Sequence, residues 1–449
     1  MKFRFISFFL VLTSFINFAE AKETFIDPAL KQSTSDWLKE AIIIQLSEKD
    51  ITQNCKLDQL PYKLSKLKQY GINVVYLPQL FQIDIHKTKN SENETDFKCK
   101  FSQVESNRQK INLKEFLSVI SKAGFKIVIE FPQIKYQESP EITNYFKDTR
   151  DEENEKTQVG NEIALNLSHK LLRQNLIKEI KSITKIYPIT GFGFLQGSIA
   201  KALGFSDFLT EEIDRLNLVT LMKLGENSID FKATGYLAAT LSNRLNHCIF
   251  GHENLKVFVE RYKNEASITD LNGVLLRTNE VTTTASKDHP DYLKQMKLKT
   301  VIDYTLGSLS GSPTIPIIMK GNTLGEWVKE SLCLSTSDVW LNENTKSLME
   351  LYLKLGFLRH SYQVFYNGNI RRVKTAGDEE QIFAFQREND SEKALVVANL
   401  SNAPFTGYIE IEAEKVLHNY LEPEKYMATK DGNIKLTLGA YEYLIFLYN

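Results

Sequence analysis

The chain predicts a (β/α)8 TIM barrel followed by a C-terminal antiparallel β-sandwich domain, and three observations carry that prediction. Between residues 37 and 330, short apolar runs alternate with amphipathic helical stretches. Several of those helices end on Gly just before the next apolar run, and Gly tolerates the left-handed turn that closes a helix. From about residue 365 the texture changes to short runs alternating apolar and polar residues, separated by turn residues.

The apolar runs of the first part are, in order, AIIIQL, INVVYLP, FKIVIEF, GFGFL, VTLMKLG, the weaker GYLAATL, GVLLRT and TIPIIMKG. Eight is the number of strands that closes such a barrel. LPYKLSKLKQYG leads into the second run and LKEFLSVISKAG into the third, which makes αβ units with parallel strands. KLLRQNLIKEIKSITKI sets Leu172, Leu176, Ile180 and Ile183 on one helical face before Pro188 stops it. The second part offers QIFAFQRE, KALVVANLS, GYIEIEA, NIKLTLG and YEYLIFLYN, with Lys430-Asp431-Gly432 as one of the turns. The helix LMELYLKLGFLRHSY and the segment after it form the join. The expected divisions are 1–21, 22–364 for the barrel and 365–449 for the β domain.

With 449 residues and 42% hydrophobic content the chain has material for more than one core. Its net charge of −1, without a basic block, excludes nucleic acid as an expected partner. At the start, Lys2 and Arg4 precede an apolar run from Phe5 to about Ala19, and Ala19-Glu20-Ala21 fits the small-x-small pattern of a signal peptidase site. The run is shorter than the ~20 apolar residues of a membrane span, so cleavage after Ala21 and secretion are expected, with no stable membrane span. Cys55, Cys99, Cys248 and Cys333 allow three pairings in an oxidising compartment, and none are close enough in sequence to suggest zinc. Asn93, Asn166, Asn389 and Asn399 each begin an N-glycosylation triplet.

The order of elements and several phrases resemble glycoside hydrolase family 13, the α-amylase and α-glucosidase (maltase) family, over nearly the whole mature chain. DWLKEAIIIQLSE resembles the family's opening strand and LKQYGINVVYLPQLF its second strand. LSGSPTIPIIMKGNTLG resembles its eighth strand, and KALVVANLSN the start of its C-terminal domain. The resemblance implies an Asp nucleophile and a Glu acid/base on neighbouring strands, about 5 to 5.5 Å apart, with a third acid stabilising the charge that develops on the sugar.

Residue by residue, the expected machinery is altered. GFGFLQ lies where the family has Gly-Phe-Arg-x-Asp-Ala, so Gly193 replaces the Arg and Leu195 the nucleophile. Leu has no group that attacks carbon, and Gln196 should point to the opposite side of the strand. LVTLMKLGENSID puts Glu226 at the acid/base position. LRTNEVTTTAS puts Glu280 at the stabilising acid and Asn279 at the sugar-contacting His. Glu226 and Glu280 are thus the vestigial catalytic positions. The third-strand Asp becomes Glu130, the Asn-His after it becomes Ile134 and Lys135, and the Gly-Tyr-Asp after the second strand becomes the region of Lys98 to Lys100.

Other candidates take plainer readings. ESPEITNYFKDTRDEENEKTQVG stands where the family has a larger third-loop domain, and it lacks the regular oxygen spacing of a calcium loop; no cofactor or metal is expected. Asp288 and His289 in SKDHPDYLK read as a helix start, and Trp37, Trp327 and Trp340 as packing rather than sugar platforms. Given the barrel, Cys55 and Cys99 fall in neighbouring loops at one end, so a Cys55–Cys99 bridge is expected, with Cys248 to Cys333 as the remainder. Three functions follow from the resemblance. The first is a secreted, non-catalytic binder of a carbohydrate ligand or protein partner. The second is residual α-glucosidase activity in carbohydrate metabolism through a rearranged carboxylate near Glu226. The third is an ectodomain like the heavy chains of amino-acid transporters, against which stand the short apolar run and a first cysteine already inside the barrel.

Overall fold

A computed structural model describes residues 36–46, 58, 60–77, 80–87, 97–103, 112–136, 167–168, 170–195, 204–223, 233–237, 239–251, 254–268, 273–278, 289–309, 312–318, 343–376, 381–411, 416–429 and 432–448. Along the chain the strands begin with β1 (Ile43–Gln45), β2 (Val74–Leu77), β3 (Phe81–Lys87), β4 (Phe97–Gln103), β5 (Lys126–Glu130) and β6 (Gln133–Tyr136). They continue with β7 (Gly191–Phe194), β8 (Val219–Lys223), β9 (Gly235–Leu237), β10 (Val274–Thr278) and β11 (Thr314–Ile318). A closed barrel takes the order β1-β11-β10-β9-β8-β7-β5-β2, with every neighbouring pair parallel. Its eight strands fall on the eight apolar runs of the sequence.

The helices are α1 (Asp36–Lys39), α2 (Leu60–Gln69), α3 (Leu113–Lys122), α4 (Lys170–Ile186), α5 (Phe205–Asp207), α6 (Ala239–Phe250), α7 (Leu255–Ile268), α8 (Tyr292–Thr305), α9 (Glu343–Ser361) and α10 (Val364–Asn367). α3 shows how local chemistry sets the bounds. The Asn112 side chain accepts the Glu115 N–H at 3.2 Å, Phe116, Leu117 and Ile120 are buried, and Gly124 closes the helix at φ 81°.

Alternation along the strands divides the barrel residues into two layers. Ile43, Val74, Tyr76, Val128, Val219, Leu221, Val274, Leu276, Ile315 and Ile317 form one apolar cluster that fills the interior, joined by Leu195. Their neighbours Ile44, Val75, Ile127, Ile129, Phe192, Met222 and Leu275 pack in the layer shared with the helices. Both faces are buried, which is why these strands read as continuous apolar runs.

One element departs from the sequence reading. β3 pairs antiparallel with β4 and parallel with β6, giving a three-stranded sheet in the connections that follow β2 and β5. Lys98 and Lys100 therefore lie on a strand, opposite His86 and Asp84, and Ile134 and Lys135 lie on β6 opposite Ile83 and Asp84.

The C-terminal strands are β12 (Asn369–Arg372), β13 (Thr375–Ala376), β14 (Ile382–Glu388), β15 (Lys393–Asn399), β16 (Phe405–Glu410), β17 (Val416–His418), β18 (Tyr426–Ala428), β19 (Asn433–Leu438) and β20 (Tyr443–Tyr448). Two antiparallel sheets, β12-β14-β15-β20 and β13-β16-β19, face each other across a core that includes Ile382, Leu395, Ile409 and Ile434. The join to the barrel is made by buried arginines donating to carbonyls. Arg387 of β14 reaches Thr305 O at 3.0 Å and Gly368 O at 2.9 Å, and Arg359 of α9 reaches Phe365 O at 3.0 Å and Lys39 O at 3.1 Å.

No disulfide is formed among the described residues. Cys248 is buried on α6 with its sulfur 3.7 Å from Asn254 O, whereas Cys55, Cys333 and the Cys99 side chain lie outside the described residues. Among the described residues no helix is long and apolar enough to cross a membrane.

Candidate functional site

In this architecture the C-terminal strand ends collect functional side chains. Period-two alternation carries each inward row one step past the apolar filling and brings Gln45, Glu130, Lys223 and Thr278 to that end. Gln45, Glu130 and Thr278 are buried and Lys223 is exposed. On β7 the inward row is Gly191, Gly193 and then Leu195, which is 7% exposed and packs with the interior cluster.

Glu130 is held against this position. Its side chain is 4% exposed, and Oε2 accepts the Leu195 N–H at 3.3 Å. The Phe131 N–H donates to Gly193 O at 2.6 Å, so the ends of β5 and β7 are joined twice. A carboxylate this deep requires hydrogen bonds, and the Leu195 amide supplies one.

Gly193 is explained by Tyr76. A Cβ added at 193 would lie 2.4 Å from Tyr76 Cε2 and 2.7 Å from the hydroxyl. The fully buried Tyr76 ring thus occupies the space that a side chain at 193 would need, including the Arg of the family pattern. Among the described residues its hydroxyl has no hydrogen-bond partner.

Behind the end of β10 lies a buried ion pair. Lys299 Nζ of α8 stands 2.5 Å from Asp303 Oδ2 and donates to Thr278 O at 2.9 Å. Burial pushes the Asp303 carboxyl up to about 6, against the opposing pull of Lys299 and Arg277. Nothing in LKQMKLKTVIDYT distinguishes this pair from an ordinary solvated i,i+4 pair, and sequence reasoning missed it.

Of the expected site residues, the structure brings together Leu195, Gly193 and Glu130. Glu226, Glu280, Asn279, Gln196, Asp288, Trp327 and Trp340 lie outside the described residues. His289 sits at the start of α8, where its Nδ1 accepts the Asp291 N–H at 3.2 Å and its carbonyl the Tyr292 N–H at 2.9 Å. Trp37 packs against the interior cluster with Lys126 Nζ 5.8 Å from its ring, at the start of β5 and away from the mouth. Among the described residues no group of three metal-ligating acids, His or Cys occurs. Hydrolysis with retention needs two carboxylates about 5 Å apart; at the described part of the mouth Glu130 is the carboxylate present.

Comparison with known proteins gives concordant results. Residues 382–445 match the family described as the α-amylase SusG C-terminal domain. A probable oligo-1,6-glucosidase 3 of Bacillus subtilis (strain 168) is 28% identical over 194 residues, 40% of this chain and 32% of the relative, so the match spans about a third of that protein's length. The α-amylase of Geobacillus thermoleovorans complexed with acarbose superposes with a TM-score of 0.67 at 14% identity, covering 92% of this chain and 99% of that one. AmyP in complex with maltose gives 0.64 at 12% identity, covering 94% and 98%. The C-terminal domain match, the glucosidase relative and the shared architecture of barrel and β domain all make the chain similar to proteins of glycoside hydrolase family 13.

Proposed function

We propose that the chain is an exported α-amylase-like protein that binds carbohydrate at the barrel mouth without hydrolysing it. One observation carries the reading: Leu195, which the family resemblance sets at the position of the nucleophile, packs into the apolar interior. A hydrocarbon side chain forms no glycosyl intermediate, and Gly193 beside it lacks the guanidinium of the family pattern. Carbohydrate is the favoured ligand because AmyP, a neighbour in fold, takes maltose and maltotriose. Export rests on the leader pattern ending at Ala21.

The test uses the chain from Lys22 onward, offered maltose, sucrose and a chromogenic α-glucoside beside a Glu226→Gln control. The expected result is no turnover above the control, with maltose slowing amide exchange at the ends of β5 and β7. Turnover abolished in the control would overturn the reading. A second reading, residual hydrolysis, is favoured by Glu130, whose carboxylate reaches the backbone of residue 195. It expects turnover that Glu130→Gln also removes.

A further inference from the structure

A cavity lies away from the barrel mouth, on the outer layer where α8 and α9 meet the C-terminal domain. It encloses about 490 Å³ and is closed on the domain side by residues 419–422, after β17, and by the β19–β20 turn, residues 439–443. That volume is within the range of about 300 to 1,000 Å³ typical of small-molecule sites.

The wall presents polar groups that the protein itself does not satisfy. Asn419 is 2% exposed, its Oδ1 accepts the Ile445 N–H at 3.1 Å, and its own N–H donates to Lys425 O at 2.8 Å. Its side-chain amide is therefore fixed in orientation, and Nδ2 has no hydrogen-bond partner among the described residues while Asn419 lines the cavity. Neither the Tyr443 hydroxyl nor the Glu350 carboxylate has such a partner among the described residues, and both residues line the same space. Burial, with Glu422 and Glu442 nearby, raises the Tyr443 hydroxyl above its usual range and keeps it a neutral donor. Asn419 is the buried member of this set, Tyr443 is half-buried and Glu350 is exposed at the rim, so the lining leaves hydrogen-bonding capacity at graded depth for a ligand to meet. The turn carries a second sign: Tyr441, in the wall, holds φ at 58°, a left-handed conformation that non-glycine residues adopt at a cost in strain.

Charge selects the ligand class. Lys294, Lys297 and Lys354 are balanced by Glu350, Glu422 and Glu442, so the lining favours neither an anion nor a cation. Lys297 already donates to Ser347 Oγ at 2.5 Å and Lys354 to Leu421 O at 3.0 Å, which holds both ammonium groups in place as directed donors. Donors from Asn419, Tyr443 and Lys297 and an acceptor from Glu350 match a molecule with many hydroxyl groups and no net charge. We propose that this cavity binds a neutral saccharide of one or two rings, independently of the barrel mouth.

The experiment titrates the full chain with glucose, maltose and inorganic phosphate, and reads binding by calorimetry and location by amide hydrogen exchange. The expected result is saturable sugar binding that slows exchange in residues 419–422 and 439–443. Tyr443→Phe and Glu350→Gln, substitutions that remove a single hydroxyl or charge, should each weaken it at least tenfold. Asn419→Leu should abolish it, and the two milder variants keep the test decisive if that chain fails to fold. Protection confined to the ends of β5 and β7 would support the barrel-mouth reading alone and overturn this one. Sugar affinity unchanged in Tyr443→Phe and Glu350→Gln, or phosphate bound here in place of sugar, would overturn it as well.

Discussion

Gly193→Ala tests the packing that defines the candidate site. The new methyl would sit 2.4 Å from Tyr76 Cε2 and 2.7 Å from its hydroxyl, whereas carbon atoms in favourable contact stand about 3.5 to 4.0 Å apart. Relief requires movement of more than an ångström, and both partners are constrained. Tyr76 is fully buried in the interior cluster, and β7 is paired with β5 on one side and β8 on the other. Overpacking of this kind costs about 1 to 3 kcal/mol, and the rigid ring puts the expected value near the top of that range. Tyr76→Ala alone should cost about 3 to 5 kcal/mol through the cavity it leaves. In that background Gly193→Ala should cost almost nothing, giving a coupling energy of about 2 to 3 kcal/mol between the two positions. Urea unfolding followed by circular dichroism and by fluorescence supplies all four corners, provided the two probes coincide. A Gly193→Ala chain within about 0.5 kcal/mol of the parent, or an equal penalty in both backgrounds, would refute the argument.

Two further predictions concern buried polar groups. Tyr76→Phe removes a buried hydroxyl that has no partner among the described residues, so it should stabilise the chain by about 1 kcal/mol in the same urea assay; a loss of stability would mean that the hydroxyl is satisfied. Asp303 has its carboxyl pKa raised to about 6 by burial, above the ordinary 3.8, so the folded chain holds that proton more tightly than the unfolded one. Its contribution to stability is then fully present below about pH 4 and lost as pH rises through about 6. Measured from pH 4 to 7, the stability of the parent relative to Asp303→Asn should decline across that window, and a constant difference would contradict the assignment.

How much was legible in the sequence follows from where each signal resides. The barrel strands were legible because burial on both faces turns each into an apolar run, and helix-closing residues such as Gly71 and Gly124, both at positive φ, mark the boundaries. That Gln196 should point to the opposite side of the strand from Leu195 followed from the period of two, whereas the packing of Leu195 with the interior cluster came from the structure. The β3-β4-β6 sheet also had a local signal, since FQIDIHK and FKCKFSQ alternate apolar and polar residues, but the resemblance had marked that connection as a sugar-contacting loop. Other features have no local signal. Arg277 and Arg387 look like the polar residues of half-solvated strands. They are buried because remote carbonyls, those of Gly307 and Thr305, turn toward them. The contact of Glu130 with Leu195 spans 65 positions, and the clash volume at Gly193 belongs to a ring on another strand.

The same geometry bears on why this barrel tolerates Leu at 195. Burying that side chain against the interior cluster contributes about 1.5 to 3 kcal/mol. An aspartate there would set a second carboxylate close to Glu130 in surroundings that disfavour charge, which is the strain a catalytic pair imposes on its own fold. On the reading proposed above, the chain is freed from that requirement. Leu195 extends the hydrophobic filling upward, Tyr76 occupies the room left by Gly193, and Glu130 binds the backbone of residue 195 instead of facing a partner acid. These three arrangements support one another. On that reading, placing the family's residue type at any one of these positions conflicts with the packing of the other two, and the barrel has a stability reason to remain as it is.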